Sequence, residues 1–186
     1  MKQLLLLSIF ATFSISGCSS GSLVDDIYQH TFDNESRESA TAFIILSNIY
    51  LSRNDIEHIE KDYKNEKNRI RQYYYEYVLA KRTQEEKYIT AFIERSKYNI
   101  NILIENKSNW ISIGNPLYRQ LAYYSKTNDD ALNTLFKLAK ISDGANLSIV
   151  SEDLYALREA NPTRFSQAAK KANITKTEMK EIMENE

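Results

Sequence analysis

The chain has 186 residues, with 24 Lys or Arg against 25 Asp or Glu and a formal charge of −1, so it lacks the basic excess of a nucleic-acid-binding surface. At 42% hydrophobic and 26% charged it has the composition of a globular domain rather than a disordered one, and the length suits one domain with its own core. Thirteen Tyr stand against four Gly and two Pro, with neither Gly nor Pro from Ser22 to Ile113, which disfavours turn-rich β-sandwiches and Rossmann-type folds. An all-α chain is expected, either a bundle or a short helical-repeat array.

Met1-Lys2-Gln3 leads into an apolar stretch from Leu4 to Ile15, interrupted only by Ser and Thr and followed by Ser16-Gly17-Cys18. One basic residue, an apolar run too short to span a bilayer permanently and small residues before a cleavage point predict a signal peptide over 1–17. The segment Ile15-Ser16-Gly17-Cys18 resembles the lipobox of bacterial lipoproteins. That resemblance implies that Ile15, Ser16 and Gly17 are read by the signal peptidase and that Cys18 is the lipid attachment point. The resemblance further implies a diacylglycerol on its sulfur and, in Gram-negative cells, an N-acyl chain. Ser19 after the Cys resembles the outer-membrane sorting class, so the expected location is the periplasmic face of the outer membrane. With two or three acyl chains contributing about 0.8 kcal/mol per buried methylene, the membrane is the first expected partner. Cys18 is the single Cys, so no disulfide is expected and burial must hold the fold together.

Residues 18–32 are expected to form the lipidated Cys and a tether, and 33–186 a single helical domain. Asp33 or Asn34 opens the first helix, whose apolar stripe is Ala42, Phe43, Leu46, Ile49 and Tyr50. Asn54 with Glu57 three residues on resembles a cap for the second. From there Ile56, Ile59, Tyr63, Glu66, Ile70, Tyr73, Tyr77 and Ala80 recur at spacings of three and four, a seam that packs lengthwise on a partner helix. The phase is lost after Ala80, and Thr83-Gln84-Glu85-Glu86 has the form of a capping box. A helical hairpin is therefore expected, its third helix showing Ile89, Phe92, Ile93, Ser96, Ile100, Leu103 and Ile104; a single bent helix with a stutter is the competing reading.

Asn106 to Asn115 forms the longest break, with Trp110, Ile111 and Ile113 inside it, and apolar residues in a connector predict docking on the core. Asn115-Pro116 opens a helix through Leu117, Leu121 and Tyr124. Asn128-Asp129-Asp130 caps the next, with Ala131, Leu132, Leu135, Phe136, Leu138 and Ala139, and Gly144 is expected to stop it. Ser151 opens another through Leu154 and Leu157, Asn161-Pro162 one through Phe165 and Ala168, and Thr175 with Glu178 caps the last. From Asp130 onward the paired short helices, the Gly-containing turn and the Asn-Pro start resemble HEAT-like helical repeats. The resemblance implies a stacked surface for protein contacts.

Chemistry-bearing motifs are few. The two His, His30 and His58, lack metal-ligand spacing, no nucleophile elbow or phosphate-cradling Gly loop occurs, and no metal or other cofactor beyond the lipid is expected. Asp25-Asp26, Glu85-Glu86 and Asp129-Asp130 could serve a peptidoglycan hydrolase, but each falls at a tether or helix start, where acids stabilise the positive end of the helix dipole. The stretch from Arg69 to Tyr77, continuing to Lys81-Arg82, is the candidate contact surface. Tyr73 and Tyr77 fit the seam, Tyr74 flanks it and Tyr75 should face outward. Arg71, Tyr74, Tyr75 and Arg82 are then the partner-binding residues, since exposed Tyr beside Arg is the composition of protein interfaces. The expected function is a non-catalytic binding, scaffold or assembly module of the cell envelope with a protein partner. The alternatives are a cell-wall enzyme acting on peptidoglycan through acidic residues, and an exclusion or immunity lipoprotein.

Overall fold

Every regular element among the described residues is a helix, as the shortage of turn residues requires. The computed structural model describes residues 23–33, 36–104, 114–142 and 144–184. The signal peptide, the lipobox and the connector with Trp110, Ile111 and Ile113 lie outside them. The fold is all-α.

The chain is already helical where a tether was expected. Helix α1, Leu23–Gln29, runs into a 3-10 turn at His30–Phe32, and Tyr28 and Thr31 are buried. The tether therefore does not extend through residue 32. Two apolar side chains one turn apart, Val24 and Tyr28 with its neighbour Ile27, dock this segment on α2, Ser36–Asn48. In α2 the expected stripe holds for Ala42, Phe43 and Leu46, while Tyr50 lies beyond the helix and in solvent.

The seam from Ile56 to Ala80 is not one helix. It breaks into α3, Arg53–Asn65, and α4, Arg69–Thr83. Side chains make this break without Gly or Pro. Glu66 turns extended, its carboxylate accepts from the Lys67 and Asn68 amides at 2.8 and 2.7 Å, and Asn68 then caps α4 by accepting from the Ile70 and Arg71 amides. Glu66 was the polar member of the seam, and it marks the place where the seam stops being helix. The cap of α3 is Ser52 rather than Asn54, in a reciprocal box with Asp55.

Helix α4 ends where the phase loss indicates, at Gln84 in the left-handed conformation, and α5 spans Glu86–Ser96. The Thr83 box does not form: the Thr83 hydroxyl instead accepts from the Glu85 amide, and Glu85 caps without a side-chain bond. Helices α4 and α5 make the expected hairpin, shorter than the pattern implied because Ile100–Ile104 is a separate turn of helix, α6.

The later helices are α7 (Gly114–Ser125), α8 (Asp129–Ile141), α9 (Gly144–Ala160), α10 (Pro162–Lys171) and α11 (Lys176–Glu184). Asn128 and Asn161 cap α8 and α10 as expected. Ser151 opens nothing: α9 is one helix through it, and Gly144, at φ +45°, is its first residue rather than a stop for α8. Besides neighbours in sequence, α8 packs on α10 and α9 on α11, the contact pattern of stacked helical hairpins.

Thr175 and Glu178 form the expected capping box, with Glu178 also 3.1 Å from the Lys140 ammonium. The Thr175 amide and then the Lys140 cation hold the Glu178 carboxyl below its ordinary range. A carboxyl held low contributes stability that is complete above the unfolded value of ~4.3 and is lost as the pH falls through its lower folded value. Helix α11 should therefore lose amide protection on acidification before α4 does. Hydrogen exchange followed from neutral pH downward checks this, and parallel loss in both helices would contradict it.

Candidate functional site

The proposed contact surface rests on α4, and the middle of α4 is enclosed by its neighbours. It packs against α2, α3, α5 and α7, and the whole run Tyr73 to Ala80 is buried. Tyr75 is 0% exposed, which overturns its placement on the outside. Its ring meets the Phe43 ring edge to face at 4.7 Å, lies near Tyr63, and its hydroxyl is 3.2 Å from that of Tyr28. Tyr74 is buried too, stacked on the other side of Phe43. A period of 3.6 shows which residues share a face, but not how many faces are covered. Here neighbours cover them all.

Arg71 and Arg82 do not join these rings at a surface. Arg71 bonds to Glu66 at 3.2 Å and lies over the Phe32 ring, 5.8 Å from its centroid. Arg82 stands eleven residues on, roughly 16 Å along the axis, with its Nε buried and without a hydrogen-bond partner. The four residues are one helix's worth of separate contacts rather than a patch. The outward tyrosines are others, with Tyr50 81% and Tyr98 85% exposed.

What α4 does assemble is a polar network inside an aromatic core. Glu76 is fully buried; its Oε1 accepts from the Tyr63 hydroxyl at 2.9 Å and its Oε2 from Arg95 Nε at 2.7 Å. Next to it, the Tyr28 hydroxyl donates to Asp62 at 2.7 Å, and His58, with its ring 5.0 Å from that of Tyr28, lies 3.5 Å from the same carboxylate. Tyr88 donates to Glu60 at 2.7 Å, Tyr73 pairs with Ser96 at 2.9 Å, and Tyr77 lies 3.0 Å from Ser47. A buried phenol needs a partner for its hydroxyl, and each of these has one. Desolvation is the first cause that raises these phenols, Tyr63 and Tyr88 both to about 12, so they stay protonated at any physiological pH.

The sequence carried a signal for Glu76 that the seam obscured. It is the single charged residue in the run Tyr73 to Ala80, and a lone acid buried in such a run needs a cation brought to it, supplied by the partly exposed Arg95 on the next helix. Both carboxylate oxygens are committed and the group is closed to solvent, so its chemistry is that of a structural ion pair.

The acidic pairs stand at helix starts. Asp25 and Asp26 lie in the first turn of α1 and Glu86 in that of α5. Asp129 is bound by Arg164 at 2.5 Å, and Asp130 lies 3.4 Å from Lys171. His30 is exposed, and its pairing with Asp33 at 2.7 Å raises it above the usual imidazole value. Among the described residues no group of three His, Cys, Asp or Glu is placed to hold a metal ion. No protein-family model matches the chain, and neither a curated protein nor a solved structure matches it.

Proposed function

We propose that the chain is a bacterial lipoprotein, anchored through diacylglyceryl and N-acyl chains on Cys18, whose helical body is a binding or assembly module at the periplasmic face of the outer membrane. The observation that carries this reading is Ile15-Ser16-Gly17-Cys18 at the end of the apolar stretch from Leu4, with Ser19 after it. Two features of the body support it. No helix of the described residues is long and apolar enough to cross a membrane, so attachment would fall to the lipid. The acids that could have served a wall hydrolase stand at helix starts, several of them bound to cations, which favours binding over peptidoglycan cleavage. Exposed Tyr50, Tyr98 and Tyr123, the last with Lys126 5.8 Å from its ring centroid, offer interface-type side chains to a protein partner in place of Tyr75.

Cys18→Ala tests the anchor. The variant should leave the membrane fraction and incorporate no labelled palmitate, whereas the unaltered chain stays in the membrane fraction and takes up the label. Retention of the variant in membranes would remove the lipoprotein reading.

A further inference from the structure

An exposed apolar surface lies at the N-terminal end of the described residues. A groove of about 480 Å³ opens between α1 and α2, floored by Ile27, Ala42 and Ile45, a volume within the ~300–1,000 Å³ of small-ligand sites. Leu23, 70% exposed, stands one helical turn before Ile27 and so on the same side of α1, and Ile45 is itself exposed. Helical geometry puts Asp25 on the opposite side of α1 from Leu23 and Ile27. The rim carries Arg37 and Glu38, charges of both signs, with His30 beside them.

Three facts together say what covers this end. Only Ser19 to Ser22 separate Cys18 from Leu23, and five Cα steps reach at most about 18 Å, so an anchored Cys18 holds α1 closer to the bilayer than the rest of the body. Apolar side chains at an interface gain by entering the boundary between headgroups and acyl chains. A rim of mixed sign complements a zwitterionic headgroup rather than an anionic one.

Resting on the anchor reading above, we propose that the α1–α2 end is a lipid-facing surface, Leu23 and Ile45 entering the headgroup boundary and the groove receiving acyl chain from bilayer phospholipid. The lipid on Cys18 then orients the body as well as holding it, with α1 down and the α8–α11 stack outward.

The test uses the full lipidated chain. The sulfur of Cys18 is consumed by the lipid, so Ile45→Cys introduces the one free thiol, which is labelled with bimane; Gln167→Cys, at an exposed position of α10, is the control. Each protein is reconstituted in phosphatidylethanolamine and phosphatidylcholine vesicles with or without brominated acyl chains. The label at position 45 should lose roughly half its emission to bromine, as expected at a depth of ~5–10 Å, and the label at 167 should lose almost none. Pelleting with the vesicles but equal emission at 45 in both lipids overturns the lipid-facing surface while leaving the anchor intact. Failure to pellet overturns the anchor and this surface with it.

Discussion

Arg95→Ala is expected to destabilise the fold by about 3–5 kcal/mol, the cost of leaving one member of a buried ion pair without its partner. Glu76 has 1% of its side chain exposed and Arg95 27%, so the two ends of the pair are not equivalent. Losing Arg95 strands a carboxylate with only the Tyr63 hydroxyl to stabilise it. Losing the charge of Glu76 instead leaves an arginine that can reach water. Glu76→Gln should therefore cost less, about 1–3 kcal/mol for the charged hydrogen bond removed. Urea unfolding of both variants reads the difference. Equal losses in the two variants would show that the pair is solvated in a way its burial does not allow.

Tyr75→Ala should cost about 3–5 kcal/mol, the range for removing a large aromatic side chain from a packed core. Tyr75→Phe keeps the ring between Phe43 and Tyr63 and removes one hydroxyl, so it should cost about 1 kcal/mol. Tyr28 keeps its bond to Asp62 in that variant, so no second donor is stranded. A near-neutral Tyr75→Ala would restore the ring to the surface and reopen α4 as a contact face.

Helix class, the caps at Asn128, Asn161 and Thr175, and the turn after Thr83 were legible because each depends on residues within one turn of each other. The breaks at Glu66 and the continuity of α9 through Ser151 were not. A Ser that opens a helix and a Ser buried in the middle of one have the same local pattern, and the tertiary contacts decide between them. The same holds for α4. Periodicity assigned Tyr73 and Tyr77 to a seam correctly but assumed that a helix has one covered side. The run Tyr-Tyr-Tyr-Glu-Tyr-Val-Leu-Ala, apolar or aromatic at every position but one, was the available indication of burial all round. The proposed anchor motif is the opposite case, a few adjacent residues whose reading depends on no fold around them.

The enclosure of α4 also has a bearing on how the chain is made. Its covering helices come from both sides of it in sequence, and the last of them, α7, begins some thirty residues after α4 ends. A chain delivered from its N-terminus thus presents an unfinished aromatic strip until Ser125 has emerged. During that interval α2, α3 and α5 can close three flanks while the fourth stays bare, sticky and open to wrong pairing. A secreted protein with this layout would gain from an escort during export that holds the first half until the second arrives.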